Sequence, residues 1–207
     1  MTGDSTVTAR VDHLVTSGTF SLDGGTWDVD NNVWLVGDDA ECIVIDAPHD
    51  AAAIQRAIGE RRLVAIVCTH AHDDHVNVAP VLADATGAPI WLHPDDRVLW
   101  DMTHPGRAPD GPLTDGQEIP VAGTTLVVLH TPGHAPGCVS LDAPQLGAVF
   151  SGDTLFSGGP GRDRQVVLRL RHHHGLHPHP AAHAAAPNRR AHRARARHDH
   201  RGRGGRR

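Results

Sequence analysis

Lysine is absent from this chain of 207 residues, so all 19 of its basic side chains are arginines. With Ala, Gly, Pro and Arg abundant, a gene rich in G and C is the simplest source of that bias. Long apolar runs are missing too, and nothing approaches the roughly 20 residues of a membrane-spanning helix. The start, with Asp4 and Asp12 and no basic-then-apolar block, does not read as a signal peptide. The expectation is a soluble cytoplasmic protein without a membrane partner. Cys42, Cys68 and Cys138 lie far apart with no paired spacing, which argues against a disulfide framework and against a cysteine zinc site. Each is expected to be a small buried hydrophobe. The length suits one α/β domain.

The net charge of -5 conceals a division. Residues 1–161 hold 6 Arg against 22 Asp and Glu, whereas residues 162–207 hold 13 Arg against 2 Asp. The first part alternates short apolar runs with helical stretches, the pattern of a layered α/β protein. Val33 to Val36 and Cys42 to Ile45 predict paired strands around Gly37-Asp38-Asp39. Helices are predicted over Ala51 to Arg61 and Asn77 to Thr86. Further strands are predicted at Leu63 to Cys68, Ile90 to Leu92, Thr125 to Leu129, Cys138 to Leu141 and Ala148 to Phe150. After Gly161 the periodicity stops. Residues 162–207 have five large aliphatics and no aromatic, too little apolar surface to offset ordering entropy, so an Arg/His-rich disordered tail is expected there.

The chemistry is concentrated past strand ends, where layered folds carry their sites. Thr69-His70-Ala71-His72-Asp73-Asp74-His75 packs three imidazoles and two carboxylates into six positions. In extended chain His70 and His72 project to one side, while Asp74 and His75 fall where the chain turns into the next helix. Two groups can therefore face two metals. Imidazole and carboxylate suit zinc, iron or manganese, so the ligands alone do not name the metal. His134 stands in a Pro-Gly turn after one strand, and Asp153 follows another in Ser151-Gly152-Asp153-Thr154. Asp73 reads as a solvated neighbour, and His13, His49, His93 and His104 as ordinary polar residues. His130, at the strand end leading to His134, reads as structural, with a ligand-orienting role as the alternative.

These three ordered pieces, HxHxDH and then GH and GD, resemble the metallo-β-lactamase superfamily over about residues 20–161. The run Thr154 to Gly161 looks most like the glyoxalase II-type branch, the hydroxyacylglutathione hydrolases. The resemblance implies an αββα sandwich and two divalent metals, zinc first and iron or manganese as alternatives. By position, His70, His72 and His134 would hold the first metal, Asp74 and His75 the second, and Asp153 would bridge. Asp74 would orient a metal-bound hydroxide that attacks the carbonyl of a small-molecule thioester or related activated ester. Lactone hydrolysis and iron-dependent persulfide oxidation are the alternatives on the same fold. Glutathione as thiol carrier is not expected, because the long glyoxalase II enzymes hold it with an added helical domain for which this length leaves no room.

The resemblance also implies a further His in a GHG-like turn near the C-terminus, and no such turn follows Gly161. Back-translating residues 162–207, with the third base of each codon left free to choose, and reading one base later can give ATGRSYSDFDTIMA, and further on LLTLPPRTDVHTGHGHDTT. The shifted text contains the missing turn and regains aromatic and acidic residues. The reading is therefore a hydrolase domain over residues 1–161, incomplete because of a frame shift near Gly161, with its second metal held poorly. The competing function is an arginine-rich arm binding nucleic acid, which would be strongly salt-dependent. The tail has no aromatic side chain to stack on bases, which weighs against that function.

Overall fold

A computed structural model describes residues 9–22, 24–156 and 159–160; the expected tail over residues 162–207 lies outside them. Two long strands, β1 (Arg10–Leu22) and β2 (Gly25–Gly37), form an antiparallel hairpin, and β2 also pairs antiparallel with β3 (Glu41–Ile45). Helix α1 (Ala51–Ile58) crosses to β4 (Arg62–Val67), parallel to β3. The short helix α2 (Asp73–Val76) and then α3 (Ala79–Thr86) lead to β5 (Ile90–Leu92). Helix α4 (Arg97–Thr103) leads to β6 (Gly111–Pro112), which closes a six-stranded sheet in the order β1-β2-β3-β4-β5-β6. A second, antiparallel sheet is built from β7 (Glu118–Val121), β8 (Thr124–His130), β9 (Val139–Ala143) and β10 (Ala148–Phe150) in the order β10-β9-β8-β7.

Side-chain alternation explains the layering. Along β3, Cys42 and Val44 face a core shared with Ile54, Leu82 and Trp100 of the helices, while Ile43 and Ile45 face a core shared with Leu126, Val128 and Leu141 of the second sheet. Strands buried on both faces need apolar residues at every position, which is why Cys42 to Ile45 and Leu63 to Val67 read as continuous apolar runs. Helix α1 begins where the Asp50 carboxylate accepts the Ala53 N–H at 2.9 Å, satisfying one of the unpaired donors of its first turn. The order is thus helices, sheet, sheet. Among the described residues no helix covers the outer face of the second sheet, so the described part carries three of the four layers of an αββα sandwich.

Several boundaries differ from the sequence reading. The hairpin is far longer than Val33 to Val36, because β1 is mostly exposed and carries polar residues on both faces, leaving little periodic signal. The helix expected over Asn77 to Thr86 begins at Ala79 as α3, and Asn77 instead ends α2, a separate short helix starting at Asp73. Helix α4 and strand β7 were not anticipated. Only Trp100 of α4 is buried, too little to mark an apolar stripe. Cys42, Cys68 and Cys138 are buried free thiols, as expected.

Candidate metal centre

The loop after β4 carries His70 and His72 and runs directly into α2, which carries Asp74 and His75. The loop between β8 and β9 carries His134, and the turn after β10 carries Asp153. All six sequence-derived ligands therefore hang from the same end of two facing sheets. His70, His72 and His134 offer donor atoms that lie within 4.8 Å of one another. Their rings stand nearly perpendicular, with centroids 4.9 Å (His70–His72), 5.0 Å (His70–His134) and 4.7 Å (His72–His134) apart. His134 Nε2 and His72 Nδ1 are 3.0 Å apart, so these are the two nitrogens that converge. His70, His75 and Asp153 form a second group on the same distance criterion.

Asp153 stands between the groups. Its Oδ2 is 3.3 Å from His134 Nε2 and its Oδ1 is 3.4 Å from His75 Nε2. Asp74 joins neither three-residue group, but its Oδ2 lies 4.0 Å from His75 Nε2. Asp74, His75 and Asp153 are all buried.

The residues fit divalent cations. His70 is fully buried, and its Nε2 has no hydrogen-bond partner, a costly condition for a polar atom unless something else binds it. Burial, reinforced by the neighbouring His75, pushes the His70 imidazole well below its ordinary value, and burial followed by His134 does the same more mildly for His72. Neutral imidazole is the form that ligates a metal. At His75 burial opposes the charge, but the Asp153 and Asp46 carboxylates outweigh it and hold the ring well above its ordinary value. At Asp153 burial likewise opposes the charge, yet His75, with help from His70 and His134, holds the carboxyl far below the usual range. Carboxylates kept ionised beside imidazoles form a centre that attracts cations.

Four residues that sequence reasoning missed organise this centre. Asp46, just past β3, accepts from the Thr69 N–H (2.7 Å) and hydroxyl (2.8 Å) and lies 2.9 Å from His75 Nδ1, which leaves Nε2 to face the centre. A carboxylate behind an imidazole in this way fixes the tautomer of a ligand. Asp96, fully buried, accepts from Ala71 N–H (2.8 Å) and Gly137 N–H (2.5 Å), tying the His70–His72 loop to the His134 loop. Burial pushes the Asp96 carboxyl up, and those two N–H groups restrain the rise. A Cβ on residue 137 would lie 2.7 Å from the Asp96 backbone nitrogen, so only glycine admits this approach. Asn31 and His49 lie beside Asp74 and His75. The signal available for Asp46 was an acidic residue directly after a buried apolar strand; a lone polar residue inside β2 or after α4's preceding turn gives none.

The other readings resolve as follows. Asp73 is more than a solvated neighbour: its carboxylate accepts the Ser21 N–H at 3.2 Å and ties the hairpin to α2. His49 is half-buried in a polar chain rather than an ordinary surface residue. His130 Nε2 lies 3.0 Å from the Pro136 carbonyl oxygen, bracing the turn that carries His134, and its ring stacks on His93 at 3.9 Å. His13 stacks on Trp34, and His104 Nε2 lies 2.9 Å from the Val76 carbonyl oxygen.

Among the described residues, no helix is long and apolar enough to cross a membrane. The chain is 39% identical over 140 residues to a hydroxyacylglutathione hydrolase of Pseudomonas putida strain GB-1, covering 64% of this chain and 51% of the relative. It is 34% identical over 150 residues to a hydroxyacylglutathione hydrolase of Pseudomonas aeruginosa strain LESB58, covering 70% of this chain and 55% of the relative. The chain thus spans about half the length of these curated relatives. Among solved structures it resembles the BLEG-1 B3 metallo-β-lactamase, with TM-score 0.60 and 27% identity over 76% of this chain and 84% of that one. It also resembles TTHA1623 in a di-iron-bound form, with TM-score 0.58 and 29% identity over 75% of this chain and 85% of that one. The sequence profile of the Metallo-beta-lactamase superfamily matches residues 26–200, and with the strand-end His and Asp groups in place the chain belongs to that superfamily.

Proposed function

We propose that the chain is a dinuclear metal hydrolase acting on small-molecule thioesters or related activated esters. The observation that carries this reading is Asp153, one of whose carboxylate oxygens faces His134 and the other His75. His70, His72 and His134 would hold one metal, Asp74 and His75 the other, with Asp153 between. Bound there, divalent metals supply Lewis acidity toward a carbonyl and bring the pKa of a water to about 7. Asp74 then offers a buried carboxylate to orient the attacking water, and Asp46 and Asp96 hold the ligand loops still while charge develops. No protein nucleophile is needed: burial pushes the Cys138 thiol up to about 12 and Cys68 well above its ordinary value.

The hydroxyacylglutathione hydrolase relatives favour a thioester, although half their length is unmatched and the thiol carrier of this chain need not be theirs. The di-iron-bound neighbour TTHA1623 is a reason to test iron as well as zinc. The test is a substrate panel of thioesters, lactones and persulfides assayed with zinc, iron or manganese loaded in turn. Thioester cleavage that disappears in Asp74→Asn is expected. Preferential lactone turnover, or persulfide oxidation with iron alone, would replace this reading.

We also propose that the run after about Gly161 is a shifted reading frame, with 1–161 as the hydrolase domain. The acidic-to-basic reversal supports it, as does the fact that third-base choices exist that spell a GHG turn one base later; the family match itself runs on to residue 200. Sequencing the gene across the Gly161 codon tests it: an intact frame through residues 162–207 would discard the proposal.

A further inference from the structure

A chain of polar contacts runs from the backbone after β3 to the second ligand group, and its direction is fixed from one end. The His49 backbone N–H can only donate, and it donates to Asn77 Oδ1 at 2.7 Å. The other end of that amide, Nδ2, lies 3.2 Å from His49 Nδ1, which must therefore accept. A neutral imidazole accepting at Nδ1 carries its proton on Nε2. That Nε2 lies 3.0 Å from Asn31 Oδ1, so the Asn31 oxygen is occupied as an acceptor. Asn31 consequently turns its NH2 toward the centre, 3.2 Å from Asp74 Oδ2 and 3.0 Å from His75 Nε2. An amide nitrogen pinned this way is a donor and not a metal ligand.

We propose that Asn31 is a positioning residue for the second metal: it engages one oxygen of Asp74, Oδ2, so that the carboxylate meets a cation through its other oxygen, and His49 and Asn77 hold it in that orientation. The inference rests on the two-metal assignment above but not on the thioester substrate. Other features that are otherwise unexplained follow from it. His49 adopts φ 60°, a left-handed conformation that a non-glycine residue takes only where its surroundings enforce it. The Thr16 hydroxyl donates to the Pro48 carbonyl at 3.1 Å and steadies that turn from β1. A Cβ on residue 18 would lie 2.2 Å from His49 Nδ1, so Gly18 makes room for the ring. Burial pushes His49 below its ordinary value, which keeps it in the neutral form the chain requires.

Two measurements on the full chain test this. In the metal-free protein, imidazole nitrogen NMR should show His49 as the Nε2–H tautomer; the Nδ1–H tautomer would reverse the chain and overturn the proposal. In zinc titrations against a competing chelator, Asn31→Ala and His49→Leu should each weaken the weaker of two binding steps by about 10- to 100-fold, leaving the tighter step unchanged. His49→Gln, which can still accept from Asn77 and donate to Asn31, should restore most of the loss. The double variant Asn31→Ala with His49→Leu should be no worse than either alone, since both act through one chain. An unchanged weaker step, equal weakening of both steps, additive losses, or a wild-type chain that takes up one ion only would each overturn the role. None of these outcomes depends on which ester the protein cleaves.

Discussion

The two ligand groups are built differently. The His70–His72–His134 group is three imidazoles from two loops, joined behind by the Asp96 carboxylate. The second group sets His75, beside the shared His70, against the Asp153 carboxylate with Asp74 next to it, and it depends on Asp46 and Asn31 to hold its members in place. Burial holds His70 and His72 toward the neutral form, so the first group is close to ready for a cation as it stands. A carboxylate-rich group is charged before the cation arrives and must be kept from reorganising around a proton instead, so more of its design lies outside the ligands.

The most severe way to break this comparison is to remove an imidazole from the first group. His72→Ala or His134→Ala should abolish tight metal uptake, read as metal content after gel filtration; unchanged content would show that the two groups have been assigned in the wrong order. Next in size is Asp46→Ala, which strips the support from His75 and leaves the Thr69 donors buried without an acceptor. Affinity for the second metal should fall about 10- to 100-fold. Stability should fall by about 1–3 kcal/mol for each donor stranded. Chelator competition and urea unfolding read the two losses separately, and a change in unfolding alone would reduce Asp46 to a structural role.

A smaller effect sharpens the comparison through pH. In the metal-free chain His75 is held above its ordinary value of 6.5 by Asp153 and Asp46, against the cost of burial. Such a group contributes stability that is complete below the unfolded pKa and is lost as pH rises through the folded one. Asp153, depressed in the folded chain, contributes stability above the unfolded carboxylate range that is lost as pH falls through its lowered pKa. The metal-free melting temperature should therefore decline as pH rises past about 6.5, the ordinary imidazole value. Zinc competes for the same His75 nitrogen, so its affinity should rise over that range. A melting temperature that climbs with pH in the absence of metal would contradict the ion-paired second group. Smallest of all, Asp101→Ala breaks only the exposed Arg97–Asp101 pair and should shift stability by less than about 1 kcal/mol. A larger shift would give α4 a part in holding Asp96 that its surface pair does not suggest.

The candidate ligands were legible in the sequence because they cluster just past apolar runs that read as buried strands, and because turn residues mark the chain's reversal at Pro132-Gly133 and Gly152. The supporting residues were not. Asn31 lies within a strand whose register is set by pairing with β1, and β1 has too few buried positions to announce itself. His49 and Asn77 are 28 positions apart, and nothing local distinguishes a polar residue that will meet a partner from one that will meet water. Asp96 was hidden by a different cause: it follows Pro94 in a short turn ahead of a helix with a single buried side chain, so the whole element escaped the periodicity that revealed the others.

The buried cysteines have a bearing on the redox behaviour of the candidate centre. Cys68 precedes His70 by two residues, and the Cys138 sulfur accepts the Ala135 N–H beside His134, so both thiols stand close to the candidate centre. Disulfide exchange requires a thiolate, and burial keeps both sulfurs protonated at neutral pH. Neither sulfur is therefore a ready partner for a mixed disulfide with a small disulfide in solution. The hydrophobic packing that fills the sandwich thus also keeps these two sulfurs redox-inert, and thiol-labelling reagents should react with Cys68 and Cys138 only after the chain is unfolded.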